Sequence, residues 1–543
     1  MRWHKRPAIV GALCAALVAV ALPGAAAVGD PADAAGQGPQ IRRTEYGIPH
    51  ILAQNYSDLG FGYGYAFAQD NACQMADRVL TLRGERSRYL GPTAKTNDAL
   101  SGAVPNLDSD TYFQGQRRDG TVQRLLARPA PLGPTAQMRQ LVDGYAAGFD
   151  RYLKEVGVAH LPDPQCQGRP WVQPITAEDV WANVLDIDQA ASAAALRGEI
   201  ATAAPPTGSS TGPATSSPTG PSTGPSPSAA SPAAPAGSLS AALSALHSAD
   251  RGSNGWALGA DATAAHDGML LANPHLPWNG NGRFYQVQLT IPGELDVSGA
   301  GLYGTPVVQI GHTAGLAWTH TSTDSDHFSL YRLQLVPGDP TSYLIDGRPE
   351  PMRRRPVPVQ VLGADGTLTT VTRTLFDSRY GPVLADGWTT TSAIALRDAD
   401  ADNIRSQDQW LAMDRAQNVE QLRAAQRRYQ GSPWVYTMAA DTSGAAYFTD
   451  SSATPHLTDA QLAACTVAPA PGLPPLLNGA TTACDWGTDA DAVEPGLFGP
   501  GADPTLLRRD FVANSNNTPA LTNPAAPLTG YPQVFGTSPR LDL

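Results

Sequence analysis

The sequence predicts an α+β protein, helical in its first part and built of short strands in its second. Three observations carry this. Apolar and aromatic residues recur near helical spacing between Ser57 and Leu196. Ala204 to Gly237 contains only Pro, Ser, Thr, Gly and Ala, so it cannot repay the entropy of ordering and is expected to be a disordered spacer. From Ser253 onward, alternating apolar and polar runs are separated by Gly, Asn, Pro and Asp turns.

Taken in order, Arg2, Lys5 and Arg6 precede an apolar run from Ala8 to Leu22, and Ala25-Ala26-Ala27 supplies small residues for cleavage. This is the pattern of a secretory signal over residues 1–27, too short to be read as a membrane span. Arg43 to Leu52 reads as a strand bounded by turns. Ser57 is placed to cap a helix reaching about Leu82, in which Gly60, Gly62 and Gly64 either weaken the helix or mark close packing. Ala136–Tyr152 and Ala177–Leu196 read as two more helices.

Beyond the spacer, the predicted strands are Ser253–Leu258, Gly268–Ala272, Phe284–Ile291, Leu295–Gly299, Thr305–Gly311 and Leu316–Thr321. His327–Leu335, Pro358–Val361 and Thr367–Phe376 continue the series. A helix over Asn418–Tyr429 and a hairpin of Trp434–Ala440 with Ala445–Asp450 follow.

Composition excludes several functions. A chain of 543 residues with net charge −12 lacks the basic surface that nucleic acids require. Lysine occurs only at 5, 95 and 154, so the part after Lys154 has no Schiff-base lysine, Ser-Lys dyad or P-loop. Outside the signal, Cys73, Cys166, Cys465 and Cys484 allow three pairings. The local pairs Cys73–Cys166 and Cys465–Cys484 would each keep a bridge on one side of position 253. Gly220-Pro221-Ser222-Thr223-Gly224 matches a hydrolase nucleophile motif, but that motif needs a strand before it and a helix after it, which this composition does not form.

The segment Gly252-Ser253-Asn254-Gly255-Trp256 stands where the spacer ends and the strands begin. A break between Gly252 and Ser253 gives Ser253 a free amine beside its own hydroxyl, so one residue carries nucleophile and base. An α-amine with a pKa of about 7.7–8.0 suits a general base near neutral pH. The tetrahedral oxyanion then needs donors aimed at it. His320, Asp324, Asp326 and His327 form a polar cluster. It reads as a strand end in preference to a metal site, with calcium on the carboxylates favoured over zinc if a metal were held.

Five blocks then make the chain similar to a known family: GSNGWALG, GMLLANPHLPW, RFYQVQLTIPG, GTPVVQIGHTAGLAWTHT and RRDFVANSNN. Together with RTEYGIPHI and GFGYGYAFAQDN they resemble the penicillin acylase family of N-terminal nucleophile hydrolases, in the branch of acyl-homoserine lactone and aculeacin A acylases. The resemblance implies a four-layer αββα sandwich with a mostly helical small chain (28–203), a disordered spacer propeptide (204–252) and a large chain (253–543). It implies self-cleavage between Gly252 and Ser253, with Ser253 as nucleophile and His275 beside it. Asn516 and the backbone N–H of Ser322 would form the oxyanion hole, although the family more often has an apolar residue at 322.

Leu276, Trp278, Val307, Val308 and Trp434 are candidate acyl-pocket residues, with Leu276, Trp278 and Trp434 foremost. The implied activity is a secreted amidohydrolase acting on an acyl-homoserine lactone, lipopeptide or penicillin. It needs no cofactor or metal, and its partners are the small-molecule substrate and its own two chains, with no membrane or nucleic acid. Family members have a longer large chain, so strands and part of the acyl pocket are expected to be missing here. The competing reading is a truncated homologue that binds acylated ligands without turnover.

Overall fold

The computed structural model describes residues 38–206, 238–246, 252–468 and 474–539. The signal, most of the spacer and the Gly220–Gly224 motif lie outside the described residues. The first part opens with a hairpin, β1 (Gln40–Arg43) and β2 (Pro49–Leu52), where one strand was predicted; Gly47, at φ 76°, makes the turn. Helices follow at α1 (Tyr56–Leu82), α2 (Arg86–Leu90), α3 (Asn106–Arg118), α4 (Thr121–Leu126), α5 (Ala136–Val156), α6 (Ala177–Asp188) and α7 (Arg197–Thr202).

Asn55, not Ser57, caps α1, accepting from the Asp58 N–H at 2.8 Å. The helix expected to reach Leu196 stops at Asp188. Beyond it the Asp398 carboxylate accepts from the Ser192 hydroxyl and the Ala193 N–H, drawing the backbone out of helical bonding.

The glycines of α1 are explained by its neighbour α5. A Cβ on Gly60 would stand 2.0 Å from the Leu141 carbonyl oxygen, and one on Gly64 would stand 1.9 Å from that of Tyr145. Gly144 and Gly148 of α5 press equally closely on α1, so the helices touch backbone to backbone. Gly64→Ala should force them apart and cost about 1–3 kcal/mol or more, read as a lower urea midpoint.

The spacer region holds α8 (Ser238–Leu246), a departure from the structureless segment expected over 204–252. Its sequence SLSAALSAL repeats apolar residues three and four apart, which suffices for one amphipathic turn after another.

Two strands, β3 (Gly252–Leu258) and β4 (Met269–His275), open the second part, followed by β5 (Phe284–Ile291), β6 (Leu295–Leu302), β7 (Ile310–His312) and β8 (Leu316–Ser322). The strand predicted from Thr305 shrinks to β7, because the Val308 N–H is taken by the Asp414 carboxylate. Next come β9 (Phe328–Val336), β10 (Asp339–Ile345), β11 (Arg348–Pro351), β12 (Arg353–Leu362), β13 (Leu368–Ser378), β14 (Gly381–Pro382) and β15 (Ser392–Asp398). After α9 (Ser406–Asp414) and α10 (Val419–Tyr429) stand β16 (Val435–Asp441) and β17 (Ala446–Thr449). The last elements are α11 (Asp459–Cys465), β18 (Thr466–Ala468), β19 (Leu476–Asn478), β20 (Thr505–Arg508) and β21 (Phe511–Asn514).

A nine-stranded sheet runs β1-β2-β5-β6-β7-β8-β16-β17-β20. Its β2–β5 pair is parallel and joins the helical part to the second part. One face of this sheet packs on α1, α5, α6, α9 and α10 in a single core around Tyr63, Tyr145, Trp181 and Trp318. On the other face lies the three-stranded sheet β21-β3-β4, with Ala257 and Val512 against Tyr436, Met438 and Phe448. Gly255 permits this approach, since a Cβ there would meet the Met438 side chain at 2.7 Å. The order is therefore helices, sheet, sheet. The outer face of β3–β4 carries exposed Trp256, Met269 and Leu271, and the fourth layer of the expected sandwich is not among the described residues.

Strands β9–β11, β15, β18 and β19 form a separate sheet, and β12–β14 another. Disulfides join Cys73 to Cys166 and Cys465 to Cys484, the local pairing on each side of position 253. Among the described residues no helix is long and apolar enough to cross a membrane.

Candidate active site

Ser253 is buried on β3, between β4 and β21, with Gly252 opposite His275 and Ser253 opposite Pro274. Alternation along β3 sends Ser253, Gly255 and Ala257 inward. The Ser253 hydroxyl donates to the Gly252 carbonyl oxygen at 2.6 Å, and the Ser253 N–H donates to Asn516 Oδ1 at 2.5 Å. In this unbroken chain the hydroxyl therefore lies against the peptide bond that self-cleavage would break.

Asn516 is held in a left-handed backbone conformation, φ 63°, which Asn adopts more readily than most residues. Its N–H donates to Asn514 Oδ1 at 2.9 Å, an oxygen that also accepts from the Thr321 hydroxyl at 2.7 Å. The Asn516 side-chain amide bridges two chain segments. Its oxygen faces Ser253, and its Nδ2 donates to the Ser322 carbonyl at 2.8 Å. Asn516 and Ser322 thus meet beside Ser253. An oxyanion role additionally requires the Asn516 amide to turn its N–H toward the reacting carbonyl.

His275 ends β4 and makes no hydrogen bond to Ser253. Its Nε2 lies 2.9 Å from Asn273 Nδ2 and 3.5 Å from Asn254 Nδ2. Both partners are amide nitrogens, so Nε2 takes the acceptor role in these contacts. Asn254, Asn273 and Asn514 did not emerge from the sequence, where short polar residues at strand ends look like turn formers. Register supplies the missing signal: Asn254 faces Asn273 across β3–β4.

Beside Ser253 opens an apolar cavity of about 40 Å³, lined by Ile187, Leu276, Phe284, Leu302, Trp410 and Trp434. Leu276 and Trp434, two of the candidate pocket residues, line this cavity. The Trp434 indole donates to the Ile187 carbonyl at 2.8 Å, so the wall is built from both parts of the chain. Trp278 is a correction: β4 ends at His275, the alternation lapses, and this side chain is 89% exposed. Val307 and Val308 are a second correction, since both are buried in the main core and not in the cavity. A larger cavity of about 370 Å³ lies apart, between Arg355, Arg397, Asp398 and Glu494, and shares no residue with the first.

The polar cluster starts at His320, inside β8, and continues past the end of that strand at Ser322. His320 Nδ1 donates to the Tyr436 carbonyl at 3.0 Å, and its Nε2 accepts from the Trp410 indole at 3.0 Å. His327 is likewise engaged by the Ala453 carbonyl and the Thr323 hydroxyl. Among the described residues no group of three His, Cys, Asp or Glu is placed to hold a metal.

Burial pushes both imidazoles down to about 4, which keeps them neutral. A histidine depressed on folding gives stability that is complete above its unfolded value of about 6.5 and lost as pH falls toward the folded value. Between those limits each such histidine costs about 1.4 kcal/mol per pH unit. Asp326, pushed up to about 7 by burial and by Asp324, acts in the opposite sense. The unfolding free energy of wild type should therefore fall more steeply from pH 6.5 to 4 than that of His327→Gln, measured by urea titration.

A family model described as penicillin amidase matches residues 39–542. Aculeacin-A acylase of Actinoplanes utahensis is 41% identical over 508 residues, covering 91% of this chain and 61% of the relative. Acyl-homoserine lactone acylase PvdQ of Pseudomonas putida is 41% identical over 535 residues, covering 97% of this chain and 64% of the relative. The chain thus spans about three-fifths of the length of these curated relatives. Among solved structures, the orthorhombic form of a thermostable penicillin G acylase from Alcaligenes faecalis matches 51% of this chain and 45% of its own, at 18% identity and a TM-score of 0.40.

Proposed function

The chain belongs to the penicillin amidase family, and on that premise we propose that it is a secreted, self-processing amidohydrolase that removes an acyl chain through an ester on Ser253. The observation that carries this is the placement of the Ser253 hydroxyl at 2.6 Å from the Gly252 carbonyl oxygen, beside an apolar cavity and the Asn516 amide.

In the first step Ser253 Oγ adds to the Gly252 carbonyl carbon. The Gly252–Ser253 C–N bond breaks, its nitrogen takes the hydroxyl proton, and an ester remains. Water hydrolyses that ester, leaving a Gly252 carboxylate and a free Ser253 amine. Gly at 252 leaves room for the approach.

In the second step the amine takes the Ser253 hydroxyl proton and Oγ adds to a substrate amide. The turned Asn516 amide and the Ser322 N–H stabilise the oxyanion. The amine half leaves with a proton, and water releases the acyl group as a carboxylic acid. His275, opposite Gly252 across β3–β4, lies beside the new chain start and tunes it.

The two chains remain associated because β2 pairs with β5 and because Tyr56, Asn71 and Asn183 hydrogen-bond to Glu294, Arg283 and Tyr303. Helices laid over Trp256, Met269 and Leu271 would complete the four-layer sandwich. Two disulfides suit an oxidising compartment outside the cytoplasm.

The acyl chain sets selectivity, since each CH₂ buried in the cavity is worth about 0.8 kcal/mol. The names of the relatives point to lipopeptide and acyl-homoserine lactone amides. The test is intact-mass analysis of purified protein, followed by side-by-side assay with a long-chain acyl-homoserine lactone, a lipopeptide and penicillin V. Two chains, one starting at Ser253, with release of free acid from at least one substrate, support the reading. Two chains without acid release favour the ligand-binding homologue. A single unbroken chain overturns both steps.

A further inference from the structure

Helix α8 lies within the stretch that self-cleavage would sever from the large chain, yet its Leu239 and Leu243 are core residues. The sequence SLSAALSAL places Leu239, Ala242 and Leu243 on one face. Leu239 and Leu243 are buried in a cluster that also holds Tyr112, Leu196 and Ile200 from ahead of the spacer. The same cluster includes Phe328, Leu330 and Leu396 from beyond Ser253. One short helix therefore contributes to a core shared by both prospective chains.

A helix of nine residues is marginal by itself in water. It holds its seat because the chain supplies it at high effective concentration. The break before Ser253 removes only one of its two covalent connections; the other, through residues 204–237, runs back to α7.

Resting on the self-cleavage reading, we infer that α8 stays seated after the chain opens and pins the end of the small chain onto the large one. The mature small chain then runs to Gly252 and does not end near residue 203. The seat is an intramolecular docking surface whose occupant is this chain's own apolar helix.

Two measurements test this. Intact mass of the mature protein, separated under denaturing conditions, should give a small chain ending at Gly252 and a large chain starting at Ser253. Subtilisin digestion of the native mature protein should then remove residues 238–246 about tenfold more slowly than in the double variant Leu239→Ser, Leu243→Ser, because cutting follows the opened population. The double variant should keep the Ser253 start, which shows that it folds. A large chain starting at Ser253 with residues 238–246 absent from the purified complex overturns this inference and leaves the nucleophile reading intact. Equal digestion of wild type and variant also overturns it. A chain unbroken at 252/253 sinks the nucleophile reading and this inference with it.

Discussion

Ser253→Ala leaves the chain unbroken at 252/253 and lowers turnover by about 10⁵–10⁶, the scale seen when a nucleophile acting within a catalytic unit is removed. The substitution deletes one oxygen that serves twice. That oxygen lies against the Gly252 carbonyl in the unbroken chain, so no attack on the peptide bond can begin. The amine that would serve as base is then never released. Both losses follow from one atom, which separates this result from the smaller effect expected of a substrate-positioning residue. The variant should fold, because the Ser253 hydroxyl bonds to the carbonyl of its own neighbour Gly252 and Ala is small enough for the site. The check is a single mass for the intact variant, together with wild-type-like urea unfolding. Cleavage at 252/253 in this variant would assign the break to an external protease.

Asn516→Gly lowers turnover by about 10²–10³, the usual cost of one oxyanion donor. Glycine is the informative replacement. At φ 63° an alanine would add about 1–2 kcal/mol of backbone strain, and its effect would mix folding with chemistry. The loss should fall on kcat with KM little changed, since the turned amide binds charge that exists only in the transition state. Self-cleavage should slow as well, because the Ser253 N–H loses the amide oxygen that holds it. Asn514→Ala should follow the same pattern more weakly. It touches no reacting atom, but its oxygen fixes both the Asn516 N–H and the Thr321 hydroxyl.

Elements with a strong local period were legible from the sequence. Phe284–Ile291 is found with the boundaries predicted, and Ser253–Leu258 gains only Gly252. Alternation of apolar residues registers burial on one sheet face, and neighbours within the segment suffice to express it. Boundaries failed where a distant side chain captured the backbone, as Asp398 does after α6 and Asp414 does at Val308. Helix α3 was missed because its polar sequence, NLDSDTYFQGQRR, shows little apolar period, and tertiary packing of Tyr112 and Phe113 holds it.

The site divides in the same way. Gly252 and Ser253 stood out as residue types suited to self-cleavage at the end of the spacer, whereas Asn516 entered only through the resemblance of its block to the family. Trp278 was misassigned because it stands in the loop after β4, next to Pro277, where its side chain turns to solvent. The Asn254–Asn273–His275 contacts depend on register, which one-residue shifts would destroy and which the turn between β3 and β4 alone does not announce.

By itself, then, the sequence determined which stretches carry periodic order, where the chain offers a candidate cut, and which residues have chemistry suited to it. These properties are carried by neighbours along the chain, within reach of local backbone geometry. Only the tertiary structure decided which of those residues meet. Ser253 reaches Asn516 across a separation of 263 positions, and the cavity beside them takes one wall from each side of the prospective cut. Such meetings are fixed by strand pairing and shared burial, whose energy is collected only after long loops have closed.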